Sequence, residues 1–177
     1  GEYRGLILVF SRTKFGVKKI IAGIRGLGYV AAELHSNRSP SQRKDALDGF
    51  RNGRYRILVA TDIAARGIDV KGIELVLNYD LPQSPEDYVH RIGRTGRMGG
   101  AGHAISFATP EQKRDVRDIE RLIRATLPLS QLPELPPARF LPRPARDRFS
   151  SSRPAFRGQR RPFSKGGRHF DRPRWKR

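Results

Sequence analysis

Eight residues at 90–97, His-Arg-Ile-Gly-Arg-Thr-Gly-Arg, concentrate the phosphate-directed chemistry of this chain. Arginines stand at Arg91, Arg94 and Arg97, with Gly93 and Gly96 between them. A spacing of three places side chains on one helical face, so a helix carried through the octamer would present three guanidinium groups together. Planar guanidinium forks match phosphate oxygens bidentately. A solvated basic helix end is the plain alternative. The glycines count against it, because each weakens a helix by about 1 kcal/mol and calls for another reason, such as close approach of backbone to a ligand.

A second stretch lies upstream at 60–69, Ala-Thr-Asp-Ile-Ala-Ala-Arg-Gly-Ile-Asp. It leaves an apolar run and brings a hydroxyl, two carboxylates, an arginine and a glycine within a few residues. Gly67 would let the backbone approach a ligand, and Asp69 could accept hydrogen bonds from a ribose. Taken alone, Thr-Asp after a strand is as well explained by a helix cap.

Both stretches need elements to position them, and the hydrophobic pattern supplies these. Leu6–Phe10 is a continuous apolar run between Gly5 and Ser11, as in a strand buried on both faces of a parallel sheet. Val17, Ile20, Ile21 and Ile24 then mark one face of a helix that Gly26 and Gly28 stop. A second strand is expected at 29–34. Ser39-Pro40-Ser41-Gln42, Ser84-Pro85-Glu86-Asp87 and Thr109-Pro110-Glu111-Gln112 share one helix-start pattern: a hydroxyl N-cap, proline at the first helical position and a side-chain acceptor at the third. The first of these helices would run to about Gly53 with Ala46, Leu47 and Phe50 inward. The third would turn Val116, Ile119, Leu122 and Ile123 inward and end before Pro128. Further strands are expected at Ile57–Ala60, 75–78 and 104–107. Strand and helix alternate from about residue 5 to 127, the pattern of an α/β fold with a mostly parallel sheet. In such sheets ligands sit beyond the carboxyl ends of the strands.

After residue 127 the composition changes. The segment 128–177 holds 14 of the 36 Lys and Arg residues, 3 of the 17 Asp and Glu, and nine of the 13 prolines. Too few aliphatic residues remain for a core, so a disordered basic tail is expected. Phe149, Phe156, Phe163 and Phe170 recur every seven residues, followed by Trp175. Proline and arginine fill the positions a coiled coil would need, so the aromatics read instead as base-stacking groups on a cationic chain. A merely solubilising extension is the competing reading. The formal net charge of +19 calls for a polyanionic partner, most simply nucleic acid. Without cysteine the chain has neither disulfides nor thiolate metal sites, and its four scattered histidines do not form a zinc motif. No run approaches the roughly 20 apolar residues of a membrane span, and no export signal opens the chain. A cytoplasmic protein is expected.

Read together, four blocks closely resemble, in order, the second RecA-like domain of DEAD-box RNA helicases, over about residues 3–127. Residues 8–14, Leu-Val-Phe-Ser-Arg-Thr-Lys, are similar to motif IV. His35-Ser36-Asn37 through Gln42-Arg43 to Gly53 resembles the segment between motifs IV and V. Residues 60–69 match motif V, and the octamer matches motif VI. Among bacterial groups the wording is most similar to the RhlE-like one. The resemblance implies a RecA-like parallel sheet flanked by helices over 1–127, with the basic tail at 128–177.

The resemblance further implies that Arg94 and Arg97 are arginine fingers for ATP, with His90 bonding to the acidic motif of the partner lobe. Gly67 and Asp69 would hold the ribose, and Arg66 would help lock the closed state. Thr13, Lys14, Arg43 and Thr61 would face the RNA backbone. ATP and Mg2+ would be the cofactors, the metal held mainly by an N-terminal RecA-like lobe. Two departures stand out. Pro40 takes a place where the family often has glutamine. Neither Gly-x-x-x-x-Gly-Lys-Ser/Thr nor Asp-Glu-Ala-Asp occurs, and the chain opens Gly-Glu-Tyr without methionine, which is expected of a fragment lacking the ATP-cradling lobe. RNA and that lobe are the expected partners, with a ribosome or RNA-degradation assembly left open for the tail. The rival expectation is a non-catalytic RNA-binding or RNA-chaperone protein acting through the tail.

Overall fold

The computed structural model describes residues 3–96 and 102–130. Five strands form one parallel sheet in the order β2-β3-β1-β4-β5. They are β1 (Leu6–Phe10), β2 (Ala31–Leu34), β3 (Ile57–Ala60), β4 (Ile73–Asn78) and β5 (His103–Ser106). The helices are α1 (Lys14–Gly26), α2 (Pro40–Arg51), α3 (Asp62–Ala65), α4 (Pro85–Ile92) and α5 (Lys113–Ile123). The expected α/β fold with a parallel sheet flanked by helices is therefore present.

The two-residue period of the strands divides the core. Leu8, Phe10, Leu58 and Ala60 face one way and pack with Ala46 and Phe50 of α2 and with Ala64 and Ala65 of α3. Ile7, Val9, Ile57 and Val59 face the other way, against Val17, Ile20, Ile21 and Ile24 of α1. β1 and β3 pair in register from Ile7 with Ile57 to Phe10 with Ala60, so both strands end together. Ser11, Thr61 and Tyr79 leave the sheet at this shared carboxyl edge. The backbone N–H of Ser11 bonds Ala60 O, that of Thr61 bonds Leu34 O and that of Tyr79 bonds Phe10 O.

The helix starts follow their sequence grammar. Ser39 and Gln42 form a reciprocal capping box, and Ser84 Oγ accepts from Asp87 N at 3.2 Å. At the third start, Thr109 N donates to Gln112 Oε1 at 3.1 Å, but a single 3-10 turn (Pro110–Gln112) precedes α5. Four expectations need correction. The strand expected at 29–34 begins at Ala31, and Tyr29 and Val30 are exposed. β4 begins at Ile73, ahead of the expected residue 75, and β5 is displaced by one residue to His103–Ser106. Leu122 is exposed rather than inward, because α5 packs only through Val116, Ile119 and Ile123, against Leu81, Tyr88 and Ile92. Among the described residues, no helix is long and apolar enough to cross a membrane.

Candidate functional site at the carboxyl edge of the sheet

Arg91 and Arg94, the described arginines of the octamer, do not share a helical face. α4 ends at Ile92, and Gly93 caps it, donating its N–H to Val89 O at 2.9 Å. Arg91, the last arginine on the helix, turns inward and is 2% exposed. Arg94 lies beyond the helix end, and Arg97 lies outside the described residues. Gly96 also has a reason other than ligand approach. Gly96 has φ +67°, which L side chains rarely adopt, and a side chain on Gly102 would collide with the Gly96 backbone.

Arg91 is the centre of the arrangement. Its Nε and Nη2 donate to the two carboxylate oxygens of Asp62, at 2.5 and 2.7 Å. Its Nη1 donates to Asp80 O at 2.6 Å and to Asn78 Oδ1 at 3.2 Å. The guanidinium carbon lies 5.1 Å from the centre of the Phe10 ring. One buried cation thus ties the end of α4 to the start of α3, the ends of β1 and β4, and the loop after β4. Asp80 extends the network through its carboxylate, which accepts from Ser11 Oγ at 2.8 Å and from Arg12 N at 3.0 Å. Asn78 donates to Ser106 Oγ at 3.0 Å. No buried side-chain polar atom among the described residues lacks a partner, as a low-dielectric interior requires.

On this foundation sits a concavity of about 210 Å3 lined by Phe10, Asp62, Ala65, Arg66, Asp87, His90, Arg91 and Arg94. The expected site residues Arg66, His90 and Arg94 are thereby brought together. Arg66 and His90 have side chains 77% and 72% exposed, and each lies 3.9 Å from Asp87 Oδ1. Arg94 Nη1 donates to Ile68 O at 2.7 Å, which ties the segment after α4 to the segment after α3. Thr95 Oγ1 bonds Ile73 O at 2.6 Å and fastens the same segment to the start of β4. Gly67 has φ +78°, with open space where a side chain would stand, so its dihedral rather than crowding demands glycine. Asp69 is exposed nearby in the chain.

The other expected residues gather on neighbouring strand ends. Thr13 follows β1 and caps α1, its Oγ1 accepting from Gly16 N at 3.0 Å. Lys14 opens α1, and its Nζ bonds Asn37 Oδ1 at 3.2 Å. Thr61 follows β3 as the N-cap residue of α3, and Arg43 is half-buried in the first turn of α2. Pro40 is the first residue of α2, where its ring suits the helix start and offers no polar atom. Because β2, β3 and β1 are adjacent, these residues occupy one end of the sheet.

Residue-by-residue reading gave Asp62, Asn78, Asp80 and Asp87 no role in the site. Their partners are distant in sequence, and their types are also those of caps and turns. Removing one member of a buried, bidentate charge pair strands the other in a dry site, whereas replacing both with apolar groups of similar volume is often nearly neutral. Arg91→Ala or Asp62→Ala is therefore expected to lower unfolding free energy in urea by about 3–5 kcal/mol. The double replacement Arg91→Met with Asp62→Leu should cost clearly less than the sum of the two single losses, although Asn78 Oδ1 and Asp80 O lose their donor; additive losses in the double variant would refute the pairing.

A profile of the family described as helicase conserved C-terminal domain matches residues 2–99. The chain is 49% identical over 116 residues to the ATP-dependent RNA helicase DbpA of Bacillus subtilis, a match covering 66% of this chain and 24% of that protein. It is 43% identical over 130 residues to the DEAD-box ATP-dependent RNA helicase CshA of the same organism, covering 73% and 26%. The chain thus spans about a quarter of the length of these curated relatives. Among solved structures, the E. coli DEAD-box protein SrmB bound to regulator of ribonuclease activity A superposes with TM-score 0.68 at 30% identity, covering 76% of this chain and 85% of that one. A DEAD box protein from Methanococcus jannaschii superposes with TM-score 0.65 at 42% identity, covering 70% and 34%. With its parallel sheet, its motif-bearing strand ends and these relatives in agreement, the chain belongs to the helicase conserved C-terminal family and carries a RecA-like C-terminal domain of the DEAD-box type.

Proposed function

We propose that this domain supplies half of an ATP site and half of an RNA cleft in an ATP-dependent RNA helicase, an N-terminal RecA-like lobe providing the other halves. The observation that carries this reading is the one-sided concavity holding Arg66, His90 and Arg94. At about 210 Å3 it falls below the roughly 300–1,000 Å3 of ordinary small-molecule pockets, so it suits one wall of a composite site better than a complete one.

Arg94, with Arg97, is the arginine finger pair, stabilising charge on the transferring γ-phosphoryl group. Gly67 and Asp69 hold the ribose. His90 and Arg66 bond across the interface and lock the closed state. ATP brings Mg2+, whose ligands fall mainly to the N-terminal lobe: Asp62 is engaged with Arg91, and Asp87 stands between Arg66 and His90. The described residues fit a polyphosphate by presenting cations, and they contain no cluster of three or more metal-ligating side chains. Thr13, Lys14, Arg43 and Thr61 grip phosphate and sugar of RNA without reading bases. Closure of the two lobes by ATP and RNA together would bend one strand and part a short duplex.

The domain boundary near 127 and a disordered basic tail over 128–177 belong to the same proposal, with the tail adding sequence-tolerant affinity for RNA; residues 131–177 lie outside the described residues. Placement beside the RhlE-like group rests on the wording of the matched blocks, and any ribosomal or RNA-degradation partner on the tail's charge; a cytoplasmic location belongs to the same reading. The intact framework beneath Arg66, His90 and Arg94 favours this reading over a chaperone acting through the tail alone.

The 177-residue chain should hydrolyse no ATP by itself, and fusion to an N-terminal lobe should yield RNA-stimulated turnover. In that protein Arg94→Ala or Arg97→Ala is expected to lower turnover by about 10³-fold or more while leaving RNA affinity nearly unchanged. Retained turnover in a phosphate-release assay would refute the finger assignment. For the tail, log K for single-stranded RNA should fall against log salt by about 0.7 per phosphate contacted, and deletion of residues 128–177 should flatten that slope. An unchanged slope would make the tail a bystander.

A further inference from the structure

We infer that His35 is a positioning residue that sets Lys14 in place on the RNA-facing edge of the domain, an inference that rests on the RNA reading above. His35 follows β2 directly and is 1% exposed. Its Nδ1 accepts the backbone N–H of Asn37 at 3.2 Å, and its Nε2 lies 3.2 Å from Glu33 Oε2. An imidazole nitrogen that accepts is bare, so the ring proton sits on Nε2 and is donated to Glu33. Glu33 is itself fixed, since its other carboxylate oxygen accepts from Arg38. Burial opposes the charge on Glu33, but Arg38 and His35 outweigh it and hold its carboxyl below the ordinary value. The ring is thereby clamped on both sides.

What the clamp holds is the backbone of Asn37, whose Oδ1 accepts from Lys14 Nζ at 3.2 Å. Lys14 follows β1 and Asn37 follows β2, while β3 lies between those strands. The bridge from Lys14 to Asn37 therefore spans the end of the strand from which Thr61 emerges. A free lysine carries up to about 2 kcal/mol of rotamer freedom that binding would have to quench. Held by Asn37, and with its ammonium 5.4 Å from the Phe15 ring centre, Lys14 is placed before RNA arrives. The line Glu33, His35, Asn37, Lys14 thus links a buried histidine to an ammonium available for phosphate.

Two substitutions of similar volume separate this role from simple core filling. In His35→Asn the side-chain oxygen can replace Nδ1 as acceptor for Asn37 N but cannot reach Glu33. In His35→Gln the longer side chain can reach Glu33 but offers no acceptor near Asn37. Acylation of Lys14 is read by peptide mass spectrometry on the whole chain, with and without a short oligouridylate, using Lys18 and Lys19 as internal controls. Without RNA, His35→Gln should raise Lys14 acylation by roughly 2- to 10-fold, the equivalent of one hydrogen bond, while His35→Asn stays near wild type. With RNA, wild type and His35→Asn should be protected at Lys14 and His35→Gln should not. Equal behaviour of the two variants, or full protection of His35→Gln beside a protected wild type, would overturn the inference alone. If RNA fails to protect Lys14 in wild type, the RNA reading of this edge fails and the inference with it.

Discussion

Arg91 and Asp62 form the interaction on which the carboxyl edge depends. A guanidinium this deep loses its hydration on folding, and a single surface-type ion pair would not offset that loss. The bidentate contact with Asp62, the Asp80 carbonyl, the Asn78 side chain and the Phe10 ring together replace water around it. Because those partners stand at the start of α3, at the ends of β1 and β4 and in the loop after β4, satisfying the arginine requires these elements and α4 to meet at fixed relative positions. Electrostatic necessity in the interior becomes geometric precision at the surface.

That precision separates a buried cation from exposed ones a few residues apart. Arg91 is consumed by the fold, whereas Arg66 and His90 stand exposed above it, and Arg94 is steadied by the Ile68 carbonyl. On the proposed reading, a domain that offers cations to a nucleotide shared with another lobe has to keep them from collapsing onto its own carboxylates. Here Asp62 is occupied by Arg91, and Asp87 approaches Arg66 and His90 only to 3.9 Å. Lys14 is treated in the same manner on the neighbouring edge, held by a neutral amide rather than by a carboxylate, which leaves its charge uncompensated.

Much of the architecture was legible in the residues. Val17, Ile20, Ile21 and Ile24 announced α1 because a helix buried against a sheet must repeat its apolar face, and the Ser-Pro starts announced α2 and α4 because capping chemistry is local. Local patterns also misled where tertiary packing decided the outcome. Leu122 has helical spacing but no sheet beneath it, and Tyr29 and Val30 are β-formers that precede the first paired residue of β2. The helical face expected to carry Arg91 and Arg94 together failed because α4 stops at Ile92, and Arg91 pairs with Asp62, 29 residues away. Spacing marked the octamer as a concentration of charge; only burial and long-range contacts showed that Arg91 serves the interior.

The central claim is that the exposed cations above Arg91 form one wall of a site completed by another lobe. Its most direct measure is the association of this chain with a separately produced N-terminal lobe, followed by sedimentation in the presence of a non-hydrolysable ATP analogue, RNA, both or neither. A composite site predicts association only with both ligands present, weakened at least tenfold, about 1.4 kcal/mol, by Arg94→Ala. Association that is indifferent to the nucleotide, or unaffected by Arg94→Ala, would contradict the account.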